Sequence, residues 1–543
     1  MIHITKMNLL QYSVLIILLI INPIYCFSQN CEPAYKLNPV SSNNNIEWSK
    51  FPQFSLPFKI IYSGPRFGDT QSQPLKHGFS HIAAYSGPEP GSIPVKNRAV
   101  LWYGVATNAG QQPWADNVLR SPWGNDTTVY RNYWDNFAST VQADIVSLDI
   151  ERMQREDRDI LALKTNAQIP LQYRNLSDNE FLATYKRDIR WWHAEAVKRL
   201  KAKIDPATLI SAYSDVPVRN TWLNITSNSW QDWTTNVART HYLNQDNAGK
   251  VGGLYQNELT ILSPSPYYYY GYDNPFGKDY LSYLLFHIEV NRAWSDKPIV
   301  PFVWLRIHDS YDPNTPMITP FMAEATAIFP FFSGATGLWL WENPFFPGSR
   351  QENYAAYEHF IYGLYRLSEF KDMFEGTHQL VIPQSARDNM EQQNPVWRGV
   401  VKGTDIVIAA QNPYAADNAE TIVNVYYNKW YRTITLKGKE VFLCKFDLND
   451  TINSTAPFLA EVAIFPNPAG KDLNVLLTGV NGMADVDFSL FNIQGQLIMQ
   501  KTIKSFAGET KELIPLPKLA SGMYIARFSN QNRVFTRKVV VIQ

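Results

Sequence analysis

Eight short apolar runs within the first 341 residues of this 543-residue chain, set apart by longer helical or loop-like stretches, constrain its fold more than any other feature. They fall at 58–62, 79–84, 99–103, 145–150, 209–213, 260–262, 299–305 and 337–341. Several are apolar at successive positions, as expected of strands buried on both faces of a parallel sheet. The clearest intervening helix is at 178–204, where Phe181, Tyr185, Ile189, Trp192 and Ala196 recur at helical spacing. Ser177 and Glu180 supply a capping box at its start. Repeated strand–helix alternation predicts an α/β fold, a (β/α)8 TIM barrel. The run at 260–262 is the shortest of the eight.

A helical stretch at 353–374 ends this pattern, and alternating strands follow at 396–403, 405–410, 420–427 and 433–447. They read as a small β-sandwich. The polar, Pro-ended NDTINSTAP segment, 449–457, reads as a linker. Beyond it come FPNPAGKDLNV from Phe465, FSLFNIQGQLIMQ at 488–500, LASGMYIARF at 519–528 and a terminal TRKVVVIQ. Apolar alternation broken by Gly and Asn turns predicts a second β-sandwich. These motifs, in this order, resemble the C-terminal sorting domain of proteins exported by the type IX secretion system. The resemblance implies the secretion machinery as a partner and the cell surface or medium as the destination.

The other end agrees. Lys6 precedes an apolar run at 12–21, and small or polar residues follow at 26–29. The run is shorter than the roughly 20 residues a bilayer requires, so it reads as a secretory signal peptide cleaved near Ser28 or Gln29. No later segment is apolar enough to insert stably in a membrane. The expected organisation is a signal peptide over 1–29, the barrel over 30–376, a sandwich over 377–448, a linker over 449–458 and the sorting domain over 459–543.

Charged residues make up only 18% and balance to a formal net charge of zero, which excludes a basic nucleic-acid footprint or a membrane-binding patch. Aromatic residues reach 14%; such rings stack on pyranose faces, and they are equally ordinary core material. After leader cleavage Cys31 and Cys444 remain, one pair in an oxidising compartment, too few for a cysteine-based metal site. Whether they pair is left open. No cofactor or metal is called for: the chain has no His-Glu-x-x-His, no phosphate-cradling Gly loop and no Gly-x-Ser-x-Gly elbow.

In (β/α)8 barrels the reacting groups sit at the C-terminal ends of the strands. The fourth run ends Ser147-Leu148-Asp149-Ile150-Glu151. Residues two apart on a strand point the same way, so Ser147, Asp149 and Glu151 face the barrel mouth while Val146, Leu148 and Ile150 pack outward. Two neighbouring carboxyls repel as a charged pair and tend to share one proton. A carboxylic acid kept protonated near neutral pH is what a glycosidic oxygen needs from a general acid. Glu151 is the candidate acid and Asp149 the group that orients substrate and tunes it. The alternative is a structural Asp and a helix-start Glu paired with Arg152 or Arg155.

Further segments keep the same order as in the hyaluronidase-like glycoside hydrolases. An aromatic stretch (Tyr133, Trp134, Phe137) precedes the Asp-x-Glu, and Ile210-Ser211-Ala212-Tyr213-Ser214-Asp215 ends the fifth strand. A Pro-rich strand runs to Arg306, and Gly337-Leu338-Trp339-Leu340-Trp341 closes the barrel. The chain resembles that family over about 58–343, without the family's cysteines and with Ile150 where an aromatic is usual. The resemblance implies hydrolysis of a polysaccharide or glycan assisted by the substrate's own acetamido carbonyl, with Asp149 holding the acetamide and Glu151 moving the proton. Tyr213 and a tyrosine of the 267–270 run, Tyr267 foremost, would bond the acetamide, and Trp341 would floor the sugar.

A two-carboxylate mechanism competes, because Asp215, Asp309 and Glu342 follow the fifth, seventh and eighth runs and any of them can serve as nucleophile or base. Arg306, like Arg219, could bind a uronate or sulfate. Two non-catalytic readings also stand, a surface carbohydrate-binding protein and an adhesive structural protein. Finally, 104–137 reads as a long mouth loop whose Trp114, Trp123, Tyr130, Tyr133 and Trp134 either stack on polysaccharide or form a satellite core.

Overall fold

The structure, a computed structural model, describes residues 31, 33–38, 44–65, 72–85, 93–103, 122–124, 126–150, 156–213, 215–308, 312, 314–343, 346, 351–428, 430–450, 461–480, 484–505, 508–530 and 533–542. The expected signal peptide, Trp114, Glu151, Arg152, Arg155, Asp309 and most of the linker lie outside the described residues. Two compact units are formed, Met1–Val423 with Ile434–Asp447, and Asn424–Thr433 with Leu448–Gln543.

In the first unit seven parallel strands form one sheet: β1 (Lys59–Ser63), β2 (His81–Tyr85), β3 (Arg98–Tyr103), β4 (Ile145–Asp149), β5 (Leu209–Ala212), β6 (Phe302–Trp304) and β7 (Gly337–Trp341). Their order is β5-β4-β3-β2-β1-β7-β6. The gap between β5 and β6 is bridged by the segment around Leu262. Tyr213 pairs in parallel with Ser263, and Leu262 with Ile299. Backbone bonds run from Leu262 N to Pro298 O and from Val300 N to Leu262 O, both 2.9 Å. The sixth unit of the barrel is thus a pair of bridges rather than a strand, and the ring of parallel pairings closes through it.

Period-two alternation divides each strand between two cores. Ile61, Ala99, Leu101, Ile145, Phe302 and Trp339 fill the barrel interior. Ile60, Tyr62, Val100, Val146, Leu148, Ile210 and Leu340 pack outward among the helices. Gly337 opens β7 because a Cβ there would lie 2.1 Å from the carbonyl oxygen of Lys59, its partner on β1. The helix Asp178–Lys201 begins at the expected capping box, with Ser177 and Glu180 bonded reciprocally. Its face of Phe181, Tyr185, Ile189, Trp192 and Ala196 is buried.

The stretch expected as a mouth loop contains the helix Thr127–Thr140, capped by Asp126, whose carboxylate accepts from Thr128 N and Val129 N. Tyr130 and Trp134 are buried on it. Trp123 lies flat on Tyr173, centroids 4.1 Å apart, within a satellite core that includes Phe181 and Tyr185. Among the described rings of this stretch the satellite-core alternative therefore replaces polysaccharide stacking: helical spacing turns Tyr130 and Trp134 inward, and Trp123, ahead of that helix, packs on Tyr173 and on Phe181 of the long helix.

The rest of the first unit is antiparallel. β8 (Gln379–Val381), β9 (Val396–Lys402), β10 (Asp405–Gln411) and β13 (Phe442–Asp447) form one sheet in the order β13-β10-β9-β8. β11 (Glu420–Tyr427) and β12 (Trp430–Lys437) form a separate two-stranded ribbon, of which Asn424–Thr433 is grouped with the second unit. The run expected as one strand at 433–447 is two, broken where Gly438 takes a φ of +53° and turns the chain. Val400, Val407 and Leu443 of this sheet join the outer core of the barrel. Arg398 of β9 donates to Glu289 at 2.9 Å, both buried. A disulfide joins Cys31 to Cys444, 413 residues apart in sequence.

The second unit carries seven further strands, β14 (Glu461–Phe465), β15 (Asp472–Val480), β16 (Ala484–Asn492), β17 (Leu497–Ser505), β18 (Gly508–Pro515), β19 (Gly522–Asn530) and β20 (Arg533–Val541), in a sandwich of two sheets ordered β14-β15-β18 and β17-β16-β19-β20. Leu473, Val475, Leu477, Val486, Phe488, Leu490, Ala526 and Phe528 alternate inward to make its own core.

Candidate functional site at the barrel mouth

β4 brings Asp149 to the C-terminal end of the barrel. Ile145 lies in the interior core while Val146, Leu148 and Ile150 lie in the outer one, so Ser147 and Asp149 are on the inner face. Asp149 is 3% exposed and stands in register with Tyr103 of β3. On the other side Leu148 pairs with Ala212 of β5. Asp149 and Tyr213 are therefore the next residues on two neighbouring strands.

Tyr213 begins a chain of rings. It packs edge-on to Phe302 at 5.1 Å and tilts against Tyr267 at 6.0 Å. Tyr267 stacks on Trp341 and meets Trp304 edge-on at 5.6 Å. Of four consecutive tyrosines only Tyr267 joins this interior group. Tyr268 bonds to Thr326 in the outer core at 2.6 Å, Tyr269 touches His308, and Tyr270 touches Trp222. Sequence reasoning named Tyr213, Tyr267 and Trp341 but missed Trp304 and Phe346. Inward alternation from Phe302 would have found Trp304. Nothing in the local pattern marks Phe346, which stacks on Trp304 from beyond β7.

The remaining candidates are placed differently. Asp215 is buried and accepts from the Tyr255 hydroxyl at 3.3 Å. Burial, reinforced by Asp215, pushes the Tyr255 phenol well above its ordinary range. Arg306 is fully buried and lies between Glu342 and Glu352. Burial disfavours its charge, but the bonds to Glu352 and Glu342 outweigh that and hold the guanidinium above its ordinary value. Among the described residues no group of three or more His, Cys, Asp or Glu side chains could hold a metal ion.

Residues 463–542 match the family model described as a secretion system C-terminal sorting domain. The tail is a type IX sorting domain. It directs the protein to secretion or to the cell surface and implies contact with the type IX machinery. No curated protein matches the chain. Among solved structures it is similar to bee venom hyaluronidase, at 13% identity and a TM-score of 0.36, over 58% of this chain and 99% of that one. It is also similar to the endo-β-1,4-mannanase of Thermotoga petrophila, at 8% identity and a TM-score of 0.34, over 90% of this chain and 98% of that one. A β-glucuronidase of Parabacteroides merdae follows, at 8% identity and a TM-score of 0.29, over 89% and 63%.

Proposed function

We propose that this protein is a secreted glycoside hydrolase that cleaves a polysaccharide or glycan at the barrel mouth. The observation that carries this reading is the juxtaposition of a buried carboxyl, Asp149, with Tyr213 on the adjacent strand and the Tyr267–Trp341 ring stack beyond it. A carboxyl and a phenol above an aromatic floor suit a pyranose, whose apolar face lies on rings while its polar edge meets hydrogen-bonding groups.

In the reaction, Glu151 gives its proton to the leaving glycosidic oxygen. The acetamido carbonyl oxygen of the substrate bonds to the anomeric carbon as that glycosidic bond breaks, and Asp149 and Tyr213 hold the acetamide in line. Water then opens the cyclic intermediate, passing its proton back to Glu151. Glu342, a candidate nucleophile in a two-carboxylate scheme, accepts from Trp304, Arg306, Tyr357 and the Asn343 backbone. That saturation favours the substrate-assisted route. The barrel at 30–376 carries the chemistry, the sandwich at 377–448 braces it, and a leader over 1–29 starts export.

The test is to assay the mature protein beside Glu151→Gln on acetamido-containing and uronate-containing polysaccharides, following reducing ends. Cleavage by the parent and its loss in the variant supports the reading, and the substrate cleaved tells whether acetamide participation is chemically available. Binding without cleavage by either protein replaces it with a carbohydrate-binding role.

A further inference from the structure

Behind the rings of the mouth lies a buried charged cluster that no step of this reaction uses. Arg306 Nε donates to both oxygens of Glu342, at 2.9 and 2.8 Å. Its two terminal nitrogens form a fork onto Glu352 at 2.6 and 2.7 Å. Glu342, 1% exposed at the end of β7, also accepts the Trp304 indole N–H at 2.9 Å, the Asn343 backbone N–H at 2.8 Å and the Tyr357 hydroxyl at 3.0 Å. A carboxylate offers about four acceptor positions, and these donors fill them. Glu342 keeps no lone pair to turn toward an anomeric carbon or a water.

One guanidinium against two carboxylates, with Arg306 and Glu342 taken out of water, is a poor way to stabilise a fold; apolar packing of the same volume does as well or better. What the cluster adds is direction. An indole N–H bonded to an immobile carboxylate has its ring plane fixed as well as its position. Trp304 passes that orientation on. It meets Trp341 edge-on at 4.8 Å and Tyr267 at 5.6 Å, and Phe346 stacks over it at 6.3 Å with the Arg306 guanidinium 5.2 Å from the Phe346 ring.

We infer that Glu342, clamped by Arg306, is a positioning residue that sets the plane of Trp304 and, through it, of the Tyr267–Trp341 floor on which the sugar lies. The inference rests on the glycosidase reading for the identity of what lies on that floor. It assigns Arg306 to the support of the site rather than to contact with an anionic sugar.

The experiment compares full-length parent, Glu342→Gln and Trp304→Phe. Glutamine keeps the size but presents a donor where the cluster needs an acceptor, and phenylalanine keeps a ring but loses the N–H. Both variants are expected to raise KM on the glycan the parent cleaves by roughly tenfold, with kcat within about threefold. Loss of kcat by about a thousandfold at unchanged KM would make Glu342 a nucleophile or base and overturns the inference. A lowered Tm with both constants unchanged makes the cluster a plain structural brace and overturns it too.

A second readout needs no substrate: hydroxyl-radical footprinting, resolved by peptide mass. Oxidation of Trp304 and Trp341 is expected to rise in Glu342→Gln while interior Trp339 stays protected, and equal protection in parent and variant overturns the inference. If the parent neither binds nor cleaves any glycan, the glycosidase reading falls and the footprint alone decides the positioning role. If Glu342→Gln does not fold, Trp304→Phe carries both readouts, the footprint then being read at Trp341.

Discussion

Tyr267 and Trp341 stack with ring centroids 5.8 Å apart and planes 19° from parallel. Tyr267 comes from the segment after the bridged sixth unit and Trp341 from the end of β7, so two distant parts of the barrel build one surface. Replacing Trp341 with Ala is expected to weaken glycan binding by about 1–2 kcal/mol, roughly tenfold in Kd, and Trp341→Phe by less. Calorimetric titration with the cleaved or bound oligosaccharide measures it; unchanged affinity in Trp341→Ala would remove the ring from the subsite.

Asp149→Asn keeps size and burial while removing the carboxyl group. The expected result is a kcat lower by roughly a hundredfold or more with a similar KM, and a changed pH–rate profile on its acid side. A variant with parental kcat would leave Asp149 as barrel packing only.

The Cys31–Cys444 disulfide closes a loop of 413 residues. Replacing both cysteines with Ser is expected to cost about 2–4 kcal/mol of stability, read as a lower Tm. Reductant should lower the parent Tm toward that of the variant and leave the variant unmoved.

His287 gives a pH dependence of definite sign. It is fully buried on the helix Tyr280–Trp294, with Nε2 3.2 Å from Thr221 O. Burial lowers its pKa to about 4, partly offset by the hydrogen bond the ring donates to the Thr221 carbonyl. Folding thus favours the neutral ring. Its contribution is complete above an unfolded value of about 6.5 and is lost as pH falls through the window down to 4, for a total of roughly 3 kcal/mol. Denaturant midpoints across that window should flatten in His287→Gln; an unchanged slope would assign the pH dependence elsewhere.

Trp123→Ala is expected to cost about 3–5 kcal/mol by opening a cavity against Tyr173 and Phe181, with glycan affinity of the folded protein unchanged. Loss of affinity without loss of stability would restore Trp123 to the substrate cleft.

Much of the architecture was legible from periodicity. Ser147 and Asp149 turn inward and Leu148 outward because side chains on a strand alternate whatever surrounds them. The Ser177–Glu180 box acts between residues three apart, so it too is written locally. The sandwich of the tail is legible for the same reason, its strands being short alternating runs between marked turns, whereas its sorting role is carried by the motifs that resemble the type IX domain. Local pattern failed where a longer-range contact decides. The segment at 260–262 is apolar enough for a strand, yet neighbours on both sides hold it by single bridges. Trp123 reads as a stacking ring until the long helix is laid against it.

The sequence by itself determined the parallel barrel, the appended β-domains and the inward face of β4, since each follows from spacing over a few residues, and its tail motifs marked the chain for export. Only the tertiary structure decided which residues meet at the mouth. It chose Tyr267 from four tyrosines, drew Arg306 and Glu342 together from 36 positions apart, and gave the carboxylate to Trp304. Those pairings depend on how loops return each strand to the ring, and residue order carries no direct signal for that.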